Sequence, residues 1–277
     1  MYLHIFFNFL WFFVIYSIIG WIGEVIFAAV KYRELVNRGF LNGPYCPIYG
    51  FGMLFVILSL SSFTGNVLIL FLASALLTTA LEAVVGVVLN KLFNKTWWDY
   101  SSEPFNIKGY VCIRASLTWG LCCVIAIKFV HPYIAKMVNI IPEPYSYIII
   151  IVLTAFIILD LVSTVAVVKN FDKHLIHIEE LAANIKEMSN ELAMTIAGNA
   201  IEIIETGEEI KEAIEDKKNQ IVLTAKKRKE SFTEITKKYE NLITQKGKYT
   251  RLIKAFPDLK TGKYTESLQK LKDHCKK

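Results

Sequence analysis

Glu24, Glu82, Arg114 and Asp160 are ionisable residues set inside long apolar runs, where a charge is hardest to keep. Placing one at the centre of a membrane helix costs about 2.5 to 3.5 kcal/mol, so ionisable residues held there mark ion or proton paths by default. Glu24 lies six residues before the end of its run, Glu82 seven and Asp160 eight, while Arg114 is four from the start of its own. At about 1.5 Å per residue, all four fall within roughly 6 to 12 Å of one membrane boundary. They form a candidate intramembrane polar layer. Three acids against one base leave a negative excess that protons, a cation or the nearby Arg38 would neutralise. Buried carboxylates short of partners hold protons to higher pH. Two readings stand: a proton or cation site, or an interhelical network in which Arg114 bridges two carboxylates.

The stretch NRGFLNGPYCPIYGFG from Asn37 to Gly52 separates two of those runs with glycines, prolines and asparagines. Pro44 and Pro47 each remove a backbone donor, and the glycines open conformations closed to other residues, so a specific irregular shape is expected. A second connector, TWWDYSSEPFNIKGY, runs from Thr96 to Tyr110. Its Trp97, Trp98 and Tyr100 suit the headgroup region, Lys108 faces anionic lipid, and Asp99 and Asn106 add polar points at that level. Irregular backbone at this depth is tolerated only where protein buries it or it lines a cavity. The two connectors are therefore expected to pack on one another. Asn37, Arg38, Asn42, Pro44, Tyr45, Pro47, Trp97, Trp98, Asp99 and Asn106 are the candidate gate or docking residues.

Other reactive side chains show no pattern that specifies a reaction. Cys46, Cys112, Cys122, Cys123 and Cys275 lack metal-site spacing, and His174 and His177 lack a third ligand in reach of sequence. Gly247-Lys248 and Gly262-Lys263 are each followed by Tyr rather than Ser or Thr, without the upstream glycine of a phosphate loop. No nucleotide or other cofactor, no metal and no catalytic residue is expected, so any ATP would be bound by another chain. The run Lys226-Lys227-Arg228-Lys229, diluted by Glu230 and Glu234, reads as a solvated helix face rather than a nucleic-acid surface.

The elements that carry these residues follow from hydropathy. Of the 277 residues 54% are apolar, and residues 1–168 hold only 9 of the 31 Lys and Arg and 7 of the 25 Asp and Glu. Five runs are candidate spans: Ile5 to Val30, Ile48 to Phe63, Val67 to Leu89, Tyr110 to Val130 and Tyr145 to Val168. Crossing a bilayer takes about 20 helical residues, so the second is short. With the N-terminus outside, eight basic residues (Lys31, Arg33, Arg38, Lys91, Lys95, Lys108, Lys169 and Lys173) fall on the cytoplasmic side, against Lys136 opposite. That asymmetry predicts N-out, C-in. The first run lacks a basic leader and carries Glu24, which predicts an uncleaved helix rather than a secretory signal.

From Lys169 the composition turns to helix formers. Phe171, Leu175, Ile178, Ala182, Ile185, Leu192, Ile196, Ile203, Ile210 and Ile214 make a heptad-like seam, with Asn199 on it and Gly198 and Gly207 loosening it. A second helical run is expected from Asn219 to Phe256, stopped by Pro257, and a short helix from Thr265 to Cys275. The expected architecture is all-α: a membrane bundle of about five spans over residues 1–168, then a cytoplasmic helical, coiled-coil-like tail over 169–277.

NRGFLNGPYCPIYGFG, Leu81-Glu82, WWDYS from Trp97, PFNIKGYVC from Pro104 and SLTWG from Ser116, in that order, resemble the family of putative type IV ABC-transporter permeases, over roughly residues 15 to 125. RLIKAFPDLKTGKYTESLQKL, from Arg251, is similar to a C-terminal segment of some members. The resemblance implies a multi-pass permease-like protein of the bacterial cytoplasmic membrane and supplies neither a substrate nor binding residues. The leading expectation is a permease subunit or small transporter embedded in the lipid bilayer, the polar layer and connectors forming its gate or coupling surface and any ATP being bound by a separate subunit. An alternative is a non-transporting scaffold or sensor whose tail forms a homo-oligomer or recruits a partner. A membrane-embedded enzyme using Glu24, Glu82, Asp99 or Asp160 ranks last, and nucleic acid is not an expected partner.

Overall fold

The computed structural model describes residues 2–205, 211–244 and 248–275. Nine helices occur among them: α1 Tyr2–Tyr32, α2 Pro47–Leu60, α3 Val67–Phe93, α4 Ile113–Ile125, α5 His131–Ile140, α6 Glu143–Glu205, α7 Lys211–Thr244, α8 Lys248–Ala255 and α9 Thr265–Cys275. Four two-residue strands sit between them: β1 Lys95–Thr96, β2 Asn106–Ile107, β3 Val111–Cys112 and β4 Lys260–Thr261. β1 pairs antiparallel with β4, and β2 with β3. The all-α reading holds, with these strands as staples.

Among the described residues four helices are long and apolar enough to cross a membrane: Tyr2–Tyr32, Val67–Phe93, Ile113–Ile140 and the first part of α6. Helix α2, extended by a 3-10 turn at Ser61–Phe63, is shorter. Large apolar side chains such as Ile26, Leu72, Leu76, Ile149 and Phe156 point outward from these helices. Such exposure suits lipid as the surrounding solvent, since lipid exacts no hydration cost from an apolar face.

Local chemistry sets the helix ends. Pro47 opens α2, where its missing N–H is not needed. Asn66 caps α3 by accepting from the backbone N–H groups of Leu68 and Ile69, both at 3.1 Å, and Asn94 closes it in the left-handed region at φ 50°. The fourth apolar run departs from expectation: it does not stop at Val130. A π-helical turn at Ala126–Val130 leads into α5, which carries on to Ile140. Pro132 has no donor for the preceding ladder, and the wider turn absorbs that loss without ending the helix. Lys136, expected in a loop, is therefore helical.

By contacts the chain forms two compact units, Met1–Lys169 with Lys248–Lys263, and Asn170–Gly247 with Tyr264–Lys277. The sequence reading divides the chain once, at 168/169; the contacts add residues 248–263 to the membrane unit.

In the first unit α1 is the hub. It contributes Phe7, Trp11, Phe12, Val14 and Tyr16 to a buried cluster that also takes in Met53, Val56 and Leu60 of α2, Leu70 of α3 and Ile150 and Ile157 of α6. Trp11 donates its indole N–H to Ser146 Oγ at 2.8 Å, and Phe7 stacks on Tyr147, tying α1 to α6. Gly50 allows α1 and α2 to touch: a Cβ there would lie 2.3 Å from Ser17 Oγ and 2.5 Å from the Phe13 carbonyl oxygen.

In the second unit Phe171, Leu175, Ile178 and Leu181 are buried on α6, and Ser267, Leu268 and Leu271 on α9. The first three are seam positions. Ala182 and Ile185 are half-buried, while Leu192, Ile196, Ile203, Ile210 and Ile214, with Gly198, Asn199 and Gly207, lie outside the residues whose side chains are described.

Candidate functional site

The first connector is folded onto the carboxylate of Asp160. Asn42 donates from Nδ2 to Oδ1 at 2.7 Å and from its backbone at 3.3 Å; the Gly43 N–H and the Tyr45 hydroxyl each donate to Oδ2 at 2.8 Å. Thr164, one turn further along α6, adds a bond to Oδ1 at 3.3 Å. Charge-assisted bonds of this kind are roughly twice as strong as neutral ones. Burial, and then the bond to Asp160, raises the Tyr45 phenol above its usual range, so it stays a donor.

Within the loop, Asn37 is the knot. Its Oδ1 accepts from the Trp21 indole at 2.8 Å and from the Gly39 N–H at 3.0 Å, while Nδ2 donates to the Asn42 carbonyl at 2.8 Å. Pro44 forms the centre of a three-residue turn closed by the Tyr45 N–H on the Gly43 carbonyl, and Cys46 N–H then bonds to the Ser17 carbonyl at 2.8 Å before α2 begins. Cys46 itself is buried, which pushes its thiol up to about 12; Glu24 adds to the effect and Arg38 opposes it.

Arg38 pairs with Glu24. Its Nε stands 3.2 Å from Glu24 Oε2, both side chains largely buried, and the guanidinium lies over the Phe27 and Tyr32 rings at 5.4 and 5.6 Å. Glu24 Oε1 accepts the Tyr49 hydroxyl of α2.

Glu82 differs. Its Oε1 accepts the Tyr100 hydroxyl at 3.1 Å, but Oε2 is buried and has no hydrogen-bond partner among the described residues. Tyr100 belongs to the second connector, and its phenol is raised by burial first, then by Glu82 and more weakly by Glu24. Both carboxylates thus act on one hydroxyl. Glu24 and Glu82 form a two-acid cluster with Arg38, Tyr49 and Tyr100 around it, and Asp160 is held separately by the loop.

Arg114 does not bridge these acids. It occupies the second position of α4, its side chain is 76% exposed, and Nη1 pairs at 3.3 Å with Glu103 of the second connector. A long side chain at a helix end reaches outward to the polar level at little cost, whereas Arg38 enters from a loop that is already folded inward.

The second connector is built on Asp99 and Asn106. Asp99 Oδ1 accepts from Ser101, whose backbone donates at 2.8 Å, and Asn106 gathers the Glu103 carbonyl at 2.8 Å and the Gly109 N–H at 3.1 Å. Gly109 has φ 72°, and a Cβ there would stand 2.6 Å from Asp99 Oδ1, so this turn requires glycine. Trp98 donates to the Tyr110 carbonyl at 2.9 Å. Trp97, expected at the headgroups, is only 3% exposed and meets Phe40 of the first connector edge-on at 5.0 Å. The two connectors do touch.

Sequence reasoning missed the partners that lie far along the chain. Tyr49 and Thr164 sit in helices read only for hydropathy, and Tyr100 passes for another interfacial aromatic. Arg251, Phe256 and Lys260 of the C-terminal stretch also reach this site. Their only sequence signal is the RLIKAFPDLKTGKY pattern, which says nothing of where it docks.

A family model described as putative ABC-transporter type IV matches residues 11–165, which runs from within α1 to within α6 and takes in both connectors. No curated protein and no solved structure matches the chain.

Proposed function

The chain belongs to the putative ABC-transporter type IV family, and from that premise we propose that it is a permease-like subunit whose Glu24–Glu82 cluster binds a proton during the transport cycle. The observation that carries this reading is the Glu82 Oε2 atom, buried and without a hydrogen-bond partner among the described residues, beside an acid whose charge Arg38 already balances. Two carboxylates and one guanidinium leave one negative charge. A proton needs a single free oxygen, which Glu82 offers; a metal cation such as Na⁺ or Ca²⁺ needs about six. The two connectors act as the gate over this cluster, since Arg38 and Tyr100, its immediate lids, are connector residues.

In this reading the chain crosses the bacterial cytoplasmic membrane five times, α2 with its 3-10 turn making the short crossing, with the N-terminus outside and residues after 169 inside. The excess of basic residues on the connector side supports that orientation. A separate ATP-binding chain supplies the energy, and this chain itself catalyses no reaction. Gentle detergent extraction followed by identification of co-purifying chains tests the assembly: an ATP-binding subunit is expected, and its absence counts against ABC transport. Reconstituted with that subunit, Glu24→Gln and Glu82→Gln are expected to lower flux while inserting normally; wild-type flux in both variants would sink the proton site.

The compact helical unit of Asn170–Gly247 with Tyr264–Lys277 supports a second reading, a membrane scaffold that recruits a partner through it. That reading expects capture of a soluble chain that is not an ATPase.

A further inference from the structure

Residues Lys248–Lys263 pack with the membrane helices, separated in sequence from the rest of that unit. Arg251 accounts for one half of the contact. Its Nη1 donates to the Gly39 and Leu41 carbonyls, each at 3.0 Å, and its Nη2 to the Phe40 carbonyl at 3.1 Å. Three consecutive backbone carbonyls are thus gathered by one planar guanidinium, a geometry that an ammonium group cannot reproduce. Burial lowers the Arg251 pKa, and Asp160 partly offsets that.

The other half engages the second connector. Phe256 meets Trp97 edge-on at 4.9 Å, β4 pairs with β1 so that Lys260 faces Thr96 and Thr261 faces Lys95, and Lys260 Nζ bonds to Asp99 Oδ2. Leu252, Ile253, Ala255 and Leu259 of the segment are buried. Gly39 follows Arg38, the partner of Glu24; Asp99 precedes Tyr100, the partner of Glu82. Neither lid can swing away while both ends of the segment are fastened. The buried apolar residues and the Phe256–Trp97 contact seat the segment, while its polar fastenings are small: a two-residue strand pair, an ion pair with an exposed lysine, and one arginine. Short pairs and exposed ion pairs of this sort are marginal on their own, which makes them releasable.

We infer that Lys248–Lys263 is an intramolecular latch that holds the two connectors shut over Glu24 and Glu82, and that its release opens the cluster to the cytoplasm. The inference rests on the proposed role of that cluster but is tested without it.

Cys46 reports the state of the first connector, being buried when the connector is in place. In the full chain carrying Cys112→Ser, Cys122→Ser, Cys123→Ala and Cys275→Ser, in inverted membrane vesicles, the rate at which a membrane-impermeant maleimide labels Cys46 is the measurement. Arg251→Gln is expected to raise the rate at least tenfold, and Arg251→Lys to fall between. Faster labelling from general unfolding is separated by a lock. Residues 96 and 260 face each other in an antiparallel pair, where Cα atoms stand about 4.5 to 5.5 Å apart, within disulfide range. Oxidised Thr96→Cys/Lys260→Cys added to Arg251→Gln is expected to restore slow labelling, and reduction to release it, with adducts counted on the peptide that carries Cys46 so that the freed thiols at 96 and 260 do not contribute. Labelling of Arg251→Gln at the wild-type rate, or fast labelling that the disulfide leaves unchanged, overturns the latch. Glu82→Gln is expected to keep labelling slow, so loss of the proton site and loss of the latch are read separately.

Discussion

Replacing Asp160 by Asn tests whether the first connector is held by charge or only by shape. The change keeps the side-chain volume and one oxygen. In the native site Oδ2 takes the Gly43 N–H and the Tyr45 O–H, each at 2.8 Å, and Oδ1 takes the Asn42 amide at 2.7 Å. An asparagine can face one set of donors with its oxygen and must turn its NH₂ toward the other. With the oxygen toward Gly43 and Tyr45, the Asn42 donors meet another donor, and the two retained bonds lose their charge assistance. Hydrogen bonds to charged groups contribute about 1.5 to 3 kcal/mol against about 1 for neutral ones. The expected loss is therefore about 3 kcal/mol, at the lower end because the Asn42 amide can turn over and accept. For a unit of this size that lowers an apparent unfolding midpoint by roughly 6 to 12 °C, at about 2 to 4 °C per kcal/mol. The assay is thermal unfolding of detergent-purified protein, with Tyr45→Phe and the double variant as controls. Because Tyr45 reaches the same oxygen, the double variant should lose less than the sum of the two. A midpoint within 2 °C of wild type, or strict additivity, would refute the reasoning.

Further outcomes follow from the same geometry. Trp97→Ala empties a site lined by Phe40, Phe93 and Phe256 and should cost about 3 to 5 kcal/mol by thermal unfolding; a near-neutral change would return Trp97 to the headgroup belt. Gly50→Val forces a side chain between α1 and α2, where even a Cβ finds atoms at 2.3 and 2.5 Å, and should destabilise by about 1 to 3 kcal/mol or more, read as reduced monodisperse yield and midpoint. Tyr100→Phe removes the hydroxyl on Glu82 and should cost about 1 kcal/mol while shifting the pH dependence of transport; an unchanged pH profile counts against coupling of the two groups. The Asp99 carboxyl is held at about 2 against an ordinary 3.8, chiefly by Lys260 and then by Ser101. Being depressed on folding, it contributes stability that is complete above the ordinary value and is lost as pH falls from 3.8 toward 2. The ratio of Cys46 labelling rates between Arg251→Gln and wild type, in which the thiolate fraction cancels, should therefore stay unchanged from pH 8 to pH 5.

The membrane helices were legible because hydrocarbon imposes a length and a composition that no other demand on Val67–Phe93 or α6 obscures. That Glu24 and Glu82 come to one level could also be read, since rise per residue converts position into height, and both act on the Tyr100 hydroxyl. Their partners could not. Whether Arg114 or Arg38 faces the acids depends on which backbone turns inward, and a helix end and a folded loop look equally basic in sequence. The contact of the connectors followed from the rule that irregular backbone must be covered, yet the cover itself, Arg251 on three carbonyls, spans over two hundred residues. Pairing between strands of two residues leaves no periodicity to detect. The continuation of α4 through Pro132 into α5 was hidden for a related reason: proline marks the lost donor but not whether the helix absorbs it.

The most direct test of the proton site is infrared difference spectroscopy of the purified protein between high and neutral pH, in wild type and Glu82→Gln. The account predicts a protonated-carboxyl band in the wild-type spectrum at neutral pH that disappears in Glu82→Gln, and an unchanged spectrum when Na⁺ replaces K⁺. A carboxyl band of equal size in both proteins, or none in either, would contradict it.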